Sequence, residues 1–479
     1  MVYPVIGGRD PSEGYDVSNS LRFNDDDSQY MYKTPGSASN QRTWTFSCWF
    51  KRSVMGGAMN IWTAGADVQN RCHIDINSSG TFQVEAKNSN STVLKHEGGP
   101  YLKDSTGHYH IVWRVDTTDG TAGNRSRVYI NGEQVTFSST GTTPNQNTDM
   151  AVNDDVLHRI GARTWADENY FDGYVSEVHF VDGSALAPTS FAKTDSNGAW
   201  VPIDCKDDLT YGTNGFYLEF KQTGTSANSS GIGADTSGED NHWSVDNFAS
   251  KDVVTDTCTN NFMTLNNLFT NTRGTFREGL TQVTTGVQGS APYGQVEFGN
   301  MFLNSGKWYW EVRPTTVGGG GSLGLGMSER AYSGTYINGH NNGGSSGNVR
   351  YNHANGQINM GATDLGDGAT YTDNDIIMFA IDLDNSKFST GKNGTWNNSQ
   401  DPANGTNAWT LTATSYGDYW TPWLSKDDTS NNATVDFNFG NPQFAISSAQ
   451  ADDNGYGRFE YDVPAGFYAI CSKNIAQYG

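Results

Sequence analysis

One predicted loop groups two aromatic side chains with a carboxylate and an amide. The stretch RTWADENYFDG contains Trp165, Asp167, Asn169 and Tyr170 just before a long predicted strand. Sugar-binding sites in proteins combine aromatic rings with a few amide or carboxylate groups, and such sites are commonly built on loops. We therefore predict that these four residues contact a glycan. The alternative is that Trp165 and Tyr170 only cover one end of an apolar core.

A second stretch, GTYINGHNNGGSSGNVRYNHANG, is rich in Gly and Asn and contains further aromatic residues. Tyr336 and Tyr351 stand near His340 and His353 in this stretch. The combination of rings and polar groups adds Tyr336 and Tyr351 to the predicted glycan-binding residues.

Catalytic motifs are incomplete in this sequence. Retaining glycosidases on jelly rolls place carboxylates at alternate positions of one strand, as in E-x-D-x-x-E, so that acid and nucleophile stand about 5 Å apart. The chain has Ala465 where the third carboxylate should follow Glu460 and Asp462. The G-x-S-x-G matches around Ser322 and Ser345 do not lie between a strand and a helix, as a serine hydrolase requires. We predict no enzyme. A polysaccharide depolymerase stays open if distant strands supply a carboxylate pair.

Three adjacent aspartates, Asp25 to Asp27, follow the first predicted strand. Calcium takes six to eight oxygen ligands that converge on one point. Neighbouring side chains of an extended segment point to opposite faces, so the triplet cannot form such a site alone. A solvated turn is the favoured interpretation, and no cofactor is expected. A calcium site completed by Asp67 or Asp154 stays open.

Two histidines, His108 and His110, share one face of a predicted strand in HYHIVW. Their spacing is compatible with a metal site. Outward-facing polar residues of a half-buried strand are the favoured interpretation.

Short alternating runs of apolar and polar residues dominate the chain. In WTFSCWF, alternate residues share one face, and this apolar face comprises Trp44, Phe46, Cys48 and Phe50. The period of two and the regular Gly/Asn/Asp/Ser turns predict an all-β chain of antiparallel sandwiches. The dipeptide Asn131-Gly132 predicts a tight hairpin, because both turn positions need positive φ.

The pattern predicts two β-sandwich domains in series. It lapses near residue 221, in a small and polar stretch that is typical of a domain margin. We predict an N-terminal docking arm at 1–20, a first domain at 21–220, a connector at 221–260 and a second domain at 261–479.

The charge balance excludes some partners. Lys and Arg total 30 and Asp and Glu total 52, which gives a formal net charge of −22. Such a charge opposes binding to a nucleic-acid backbone or an anionic membrane. We expect no nucleic-acid partner. No apolar run reaches the length of a membrane span, so no membrane insertion is expected. The first residues lack a secretory signal pattern, and we expect the chain to fold in the cytosol.

The first half resembles laminin-G-like, concanavalin-A-type jelly rolls. SLRFNDDDSQYMY is similar to the family's opening strand and turn, and RTWTFSCWFKR is similar to its next core strand. HYHIVWRVD and SRVYINGEQV resemble its paired strands with an Asn-Gly hairpin. HRIGARTWADENYFDGYVSEVHFVDGSALAPTSF resembles its closing segment. The resemblance implies the fold and no particular ligand.

The second half resembles the SPRY-type β-sandwich. GKWYWEV is the best signature, and IIMFAIDLDNSKFSTGKNGTW is similar to a strand–turn–strand with Asp382 and Asp384 at the turn. ATVDFNFG resembles a late core strand. The long insertion around SGTYINGHNNGG departs from the family pattern.

Between the two halves stand YGTNGFYLEF, GADTSGEDNHWSVDNF and DVVTDTCTNNF. With these segments, both halves together resemble virion proteins of tailed phages of aquatic bacteria. The resemblance implies a tail fibre or similar appendage, assembled in the host cytoplasm, that presents β-sandwich domains to host surface polysaccharide. A capsid decoration or head fibre protein with a purely structural role is the alternative. Family analogy implies a homo-oligomer, with a trimer as one option.

The N-terminal arm carries apolar side chains without a domain of its own. Such a segment can add to the sheet edge or groove of a partner, and the arm's candidate docking residues are Val2, Tyr3, Val5 and Ile6. We predict that these residues attach the chain to other virion proteins. A frayed terminus is the alternative.

Overall fold

The computed structural model of the chain describes residues 14–268, 274–286, 295–319, 322–329, 347–412, 419–427 and 431–479. The chain forms two compact units, and the sequence passes from the first to the second between Asn261 and Phe262. Each unit has its own sheets and its own apolar core.

The first unit is built of strands joined by turns and short 3-10 helices. Its 3-10 helices are Ala122–Asn124, Pro188–Ser190, Lys206–Asp208 and Ser250–Asp252. Its strands are, in chain order, β1 (Ser20–Phe23), β2 (Tyr30–Lys33), β3 (Thr43–Arg52), β4 (Met59–Gly65), β5 (Arg71–Ile76), β6 (Phe82–Asn88), β7 (Ser91–Glu97), β8 (Tyr109–Asp116), β9 (Ser126–Ile130), β10 (Glu133–Gln134), β11 (Ser139–Thr142), β12 (His158–Ile160), β13 (Gly173–Asp182), β14 (Ala192–Thr194), β15 (Trp200–Pro202), β16 (Phe216–Leu218), β17 (Ser244–Asp246) and β18 (Val253–Val254).

Two antiparallel eight-stranded sheets make the sandwich of the first unit. Sheet A has the order β10-β9-β8-β3-β13-β1-β18, and β16 pairs with β13. Sheet B has the order β11-β7-β6-β5-β4-β12-β2-β17. A separate two-stranded ribbon joins β14 and β15.

The alternation in β3 places its apolar residues between the two sheets, as predicted. Trp44, Phe46, Cys48 and Phe50 all belong to the main core. The ring of Phe46 stacks on that of Trp62 from sheet B, with centroids 4.7 Å apart. Burying such a side chain stabilises a fold by roughly 1.5–3 kcal/mol. The predicted hairpin at Asn131-Gly132 is also confirmed, because both residues have positive φ and connect β9 to β10.

The outer face of sheet A is not open to solvent. Residues 184–217 cover part of it, and the hydroxyl of Thr45 donates a hydrogen bond to the carbonyl of Ser184 (2.7 Å). His110 bonds to Ser47 (2.9 Å) and accepts from the indole N–H of Trp200 (3.0 Å). His108 and His110 are fully buried. The prediction that they are outward residues of a half-buried strand was therefore wrong, because a segment distant in sequence seals this face.

Residues 221–260, which the sequence analysis assigned to a connector, pack within the first unit. Strand β17 pairs with β2, and β18 pairs with β1. Trp243 is fully buried and makes an edge contact with Phe216, with ring centroids 4.9 Å apart. Residues 14–19, at the end of the assigned arm, also lie in this unit, where Val17 is buried and its N–H donates to Thr259 (3.1 Å).

The second unit is also built of strands, with one short α-helix among its described residues. Its 3-10 helices are Glu278–Leu280 and Asn397–Ser399, and its α-helix, α1, is Ser472–Tyr478. Its strands are β19 (Thr275–Arg277), β20 (Gln282–Thr284), β21 (Gln295–Phe298), β22 (Lys307–Thr316), β23 (Ser322–Ser328), β24 (Asn348–Asn352), β25 (Gln357–Met360), β26 (Thr363–Asp367), β27 (Ile377–Asp382), β28 (Lys387–Lys392), β29 (Thr395–Trp396), β30 (Trp409–Thr410), β31 (Thr421–Asp427), β32 (Thr434–Asn438) and β33 (Tyr468–Ala469).

The second unit has two sheets around an aromatic core. Sheet C has the order β19-β20-β32-β22-β27-β28-β29, with β30 and β33 as side branches, and sheet D has the order β21-β31-β23-β24-β25-β26. The pairing is antiparallel apart from the short contact of β33 with β22. The predicted strand–turn–strand with Asp382 is present as β27 and β28. The predicted all-β class with antiparallel sandwiches is thus confirmed.

No described helix has the length and apolar character needed to cross a membrane.

Gly173, the first residue of β13, is one position where the sandwich tolerates no side chain. Its φ is +140°, and a Cβ there would lie 2.0 Å from the Lys51 carbonyl oxygen and 2.9 Å from the Arg52 Cα. Since these neighbours are backbone atoms of β3, we expect Gly173→Ala to lower the free energy of unfolding by about 3 kcal/mol. Urea unfolding followed by tryptophan fluorescence measures this loss.

Gly57→Ala is the matched control. A Cβ at Gly57 would meet only the Val54 Cγ1, at 3.9 Å. We expect a change within about 0.5 kcal/mol. Equal losses in the two variants would contradict the packing at Gly173.

Candidate functional site

Five side chains form a row across the outer face of sheet B. The register of β2, β12, β4, β5 and β6 places Tyr32, Arg159, Thr63, His73 and Glu85 opposite one another. Directly opposite residues have Cβ atoms about 5 Å apart, so they can act on one ligand. The row exists because each of these strands alternates its polar residues with residues of the core.

The predicted glycan-binding loop, residues 161–172, crosses this row. The hydroxyl of Thr63 donates to the carbonyl of Ala162 (2.8 Å), and the Asn60 N–H donates to the carbonyl of Asn169 (2.9 Å). These two bonds attach the two ends of the loop to β4. We call the row, its neighbouring outward residues and loop 161–172 the sheet B face. It brings the four predicted residues of the first loop together.

Trp165 lies among cationic and imidazole groups on the sheet B face. The guanidinium carbons of Arg71 and Arg163 are 4.8 and 5.5 Å from its ring centroids. The ring of His73 is 5.4 Å from that of Trp165. Such cation–π contacts contribute about 0.5–1 kcal/mol each at partly exposed sites. They hold the indole in place while part of it stays accessible, since Trp165 is only half-buried.

Three tyrosines form a second aromatic group beside Trp165. The ring of Tyr30 lies 5.9 Å from Tyr32 and 6.3 Å from Tyr170. Arg159 stands over Tyr30 at 4.2 Å and donates to the Asp167 carboxylate (2.9 Å). Tyr32 is 38% exposed. Burial and a hydrogen bond to a neighbouring carboxylate raise the pKa of Tyr30 to about 12, so its hydroxyl stays neutral. The group offers rings, hydroxyls and a fixed carboxylate on one surface.

Beneath the loop lie buried polar atoms that the described residues leave without hydrogen-bond partners. They are both amide atoms of Asn60, the Nδ1 of His73 and the Oδ1 of Asp75. Burial raises the pKa of Asp75 to about 7, although Gln83 donates to its Oδ2 (2.9 Å). Burial and the charge of Arg71 lower the pKa of His73 to about 3. At neutral pH the imidazole is therefore neutral, and Asp75 is close to its titration point.

A carboxylate pair is also present, which the sequence did not reveal. The Nε2 of His73 is 3.6 Å from Asp75 and 3.8 Å from Glu85. Glu85 also faces Arg71 at 3.4 Å and Lys87 at 3.8 Å. The imidazole of His73 therefore lies next to both carboxylates.

The aspartate triplet forms a turn, as the favoured interpretation predicted. Asp26 donates its N–H to the side chain of Asn24 (3.3 Å), whose amide donates to Asp27 (3.0 Å). Asp25 faces the buried Asp172, and burial raises the pKa of both carboxyls. Among the described residues no group of three or more His, Cys, Asp or Glu side chains could hold a metal ion.

The prediction that Tyr351 contacts a glycan was wrong. Tyr351 is fully buried in the core of the second unit, where its ring meets that of Tyr371 with centroids 5.2 Å apart. It therefore offers no surface to a glycan. The other predicted residues lie outside the described residues, namely Tyr336 and the arm residues Val2, Tyr3, Val5 and Ile6.

The sequence analysis missed all five residues of the row, and it also missed Tyr30, Arg71 and Arg163. The alternation in RCHIDI and YMYK could have identified the outward residues. In RCHIDI it separates them from Cys72 and Ile74 of the core, and in YMYK from Met31. The sequence does not give the strand register that joins them.

Comparison with known proteins identifies the fold of the first unit. The profile of the concanavalin A-like lectin/glucanases superfamily matches residues 25–192. This stretch contains sheet B from β2 to β12 and the loop over it. The first unit therefore has the laminin-G/concanavalin A-like lectin fold that the sequence predicted. No curated protein matches the chain.

Several solved structures are similar to parts of the chain. A putative carbohydrate binding protein from Bacteroides ovatus is 15% identical, with 49% of this chain and 59% of that chain covered and a TM-score of 0.33. The SPRY domain of human HERC1 is 16% identical over 33% of this chain and 87% of that chain, with a TM-score of 0.26. The IT-sialidase CBM40 of Ruminococcus gnavus is 12% identical over 37% of this chain and 92% of that chain, with a TM-score of 0.25.

The raised pKa of Asp75 predicts a pH-dependent stability. The folded chain keeps the Asp75 proton up to about pH 7, whereas the unfolded chain loses it near pH 3.8. The wild type should therefore lose stability, relative to Asp75→Asn, as the pH rises between these values. The variant should gain on the order of 3 kcal/mol on the wild type between about pH 4 and about pH 7. Urea unfolding at a series of pH values measures the difference.

The free energy of unfolding measured at about pH 3 is the internal reference. At about pH 3 both chains carry a neutral group at position 75, so the titration contributes no difference there. Parallel profiles from acid to neutral pH would show that Asp75 is not held in its protonated form.

Proposed function

We propose that the chain is a non-catalytic protein that binds glycans on the sheet B face. The observation that carries the proposal is Trp165, an accessible indole fixed by two guanidinium groups and an imidazole. Sugars pack their C–H faces on such rings, and nearby polar groups fix their orientation. The profile that matches this unit is named for lectins and for glucanases, and lectins are sugar-binding proteins.

The polar groups around Trp165 match the hydroxyls of a sugar. Asp167 is exposed and supplies acceptors, while the side chain of Asn169 lies within reach of the Arg163 guanidinium. Tyr170 adds a second half-buried ring. A face of this kind holds a few sugar units weakly. Repetition of the site on one particle raises the avidity without a deep pocket.

The acidic groups favour binding over hydrolysis. Asp75 is almost fully buried, and Glu85 is engaged by Arg71 and Lys87. A retaining glycosidase needs two carboxyls about 5 Å apart on either side of an open bond position. Here the ring of His73 contacts both groups, so a glycosidic bond has no place between them.

We further propose that the protein is a virion appendage of a tailed phage, such as a tail fibre, in which the first unit meets host surface polysaccharide. The resemblance of both halves to such virion proteins supports this. The docking residues Val2, Tyr3, Val5 and Ile6 would attach the chain to other virion proteins, and homo-oligomers would multiply the binding face. A capsid decoration or head fibre protein without glycan affinity is the alternative. Immunogold labelling of particles distinguishes a tail position from a capsid position.

Removal of the central indole tests the binding proposal. We expect Trp165→Ala to weaken binding to host surface polysaccharide about tenfold or more, because a stacked aromatic ring contributes on the order of 1.5 kcal/mol. A screen on an array of bacterial capsular and O-antigen oligosaccharides identifies the ligand. Calorimetry with that oligosaccharide then measures the Kd.

Tyr101→Ala is the matched control, because Tyr101 is 65% exposed and is not part of the sheet B face. We expect its Kd to equal that of the wild type. Circular dichroism of both variants confirms that they are folded. Unchanged affinity in folded Trp165→Ala, or equal losses in both variants, would contradict the assignment of the site.

A polysaccharide depolymerase is the second candidate, and it requires that a substrate displaces the ring of His73 from Asp75 and Glu85. Asp75, with a pKa near 7, has the protonation state of a general acid, and the paired Glu85 lies on the neighbouring strand. If the protein hydrolyses glycans, it should shorten host polysaccharide in size-exclusion chromatography. Glu85→Gln should then reduce the rate by a factor of about 100 or more. We expect no shortening by the wild type.

A further inference from the structure

A buried lysine on the outer face of sheet A meets both a carboxylate and a carboxamide. The Nζ of Lys51, near the end of β3, lies 2.5 Å from the Oδ2 of Asp256 and 2.9 Å from the Oδ1 of Asn261. All three residues are at most 1% exposed. Asp256 alone would balance the charge of the lysine. The carboxamide gives the amine a second partner, whose carbonyl carbon is an electrophile.

The surroundings favour the neutral amine. Burial lowers the pKa of Lys51 and outweighs the raising effect of Asp256. The Tyr174 ring lies 4.6 Å from the Nζ, and the Nε2 of His108 lies 4.0 Å from Asp256. The pKa of His108 is well below its ordinary value because of burial and Lys51, so the imidazole brings no positive charge. A desolvated lysine that has passed its proton to a neighbouring acid is a nucleophile.

The carboxamide of Asn261 is held with its oxygen facing Lys51. The amide nitrogen of Asn261 donates to the carbonyl of Thr106 (2.7 Å), which turns its oxygen towards Lys51. A C=O bond is about 1.2 Å long, so the carbonyl carbon is within about 4 Å of the amine. Fixing two reactants at this distance replaces an encounter in solution by an effectively unimolecular step.

We propose that Lys51 and Asn261 become joined by an intramolecular amide bond. The proton of the Lys51 ammonium passes to Asp256. The amine nitrogen then forms a bond to the Cγ of Asn261, and protonated Asp256 donates to the carbonyl oxygen as the tetrahedral centre forms. The second amine proton moves through Asp256 to the leaving nitrogen and the Cγ–Nδ2 bond breaks. As the C=O bond re-forms, the hydroxyl proton returns to Asp256, and ammonia departs. The step needs no cofactor or oxidant.

This bond would close a covalent loop from the central strand of sheet A to the last residue of the first unit. Residues 221–261, which carry β17 and β18, would then be unable to detach without breaking a covalent bond. Cross-linking of this kind stabilises mainly by restricting the unfolded chain, as a disulfide does. Unlike a disulfide, an amide is insensitive to reductants.

The mass of the denatured full-length protein tests the proposal directly. Loss of ammonia predicts an intact mass about 17 Da below that calculated from the sequence. Tryptic digestion should give a branched peptide in which Lys51 is uncleaved and linked to the peptide that contains Asn261. An unmodified mass would overturn the proposal. A loss of about 18 Da, with Lys51 linked to Asp256, would overturn the assignment of Asn261 as the electrophile, because that bond releases water.

Variants separate the roles of the three residues. We expect Lys51→Arg, Asn261→Ala and Asp256→Asn each to have the mass calculated from its own sequence. Lys221→Arg, an exposed lysine paired with Glu219, is the control and should keep the loss of ammonia. A loss of ammonia retained in Lys51→Arg would overturn the proposal. Since the wild-type mass and branched peptide decide the question by themselves, a variant that fails to fold leaves the test intact.

Discussion

Burial of sheet A on both faces is the constraint on which the organisation of the first unit depends. One face of β3 contributes Trp44 and Phe46 to the core between the sheets, and residues 184–217 together with the N-terminal segment cover the other. A strand with two buried faces cannot present side chains to a ligand. The outer face of sheet B is therefore where a binding surface can form, and the loop 161–172 lies there.

The same constraint explains the polar chemistry of the interior. Sheet A carries Lys51, His108 and His110 on the sealed face, and these groups need partners because an unpaired buried polar group is costly. Lys51 contacts Asp256 and Asn261, and His110 contacts Ser47 and Trp200. The covering segment thus supplies hydrogen-bond partners as well as apolar area. On sheet B, Asn60, His73 and Asp75 are also buried, and they keep unused hydrogen-bonding capacity.

Features that depend on neighbouring residues could be predicted from the sequence. Features that depend on contacts between segments far apart in the sequence could not. The faces of β3 and the Asn131-Gly132 hairpin follow from a period of two and from backbone geometry. The loop with Trp165 and Tyr170 could be selected because its residue types suit a ligand. The burial of His108 and Tyr351 could not be foreseen, because it depends on which distant segment covers them. Arg71 and Arg159 could not be assigned to the candidate site for the same reason, since strand register decides which outward residues meet.

The C-terminal part of the first unit has a consequence for how a fragment of this protein would behave in solution. Strands β17 and β18 form the last strands of sheets B and A, beside β2 and β1. A chain cut at residue 220 would leave both neighbouring strands with bare N–H and C=O groups and would empty the space filled by Trp243. Open strand edges of this kind pair with other molecules. The shortened first unit should therefore associate with copies of itself, and it should not behave as an intact sandwich that has merely lost a terminal segment.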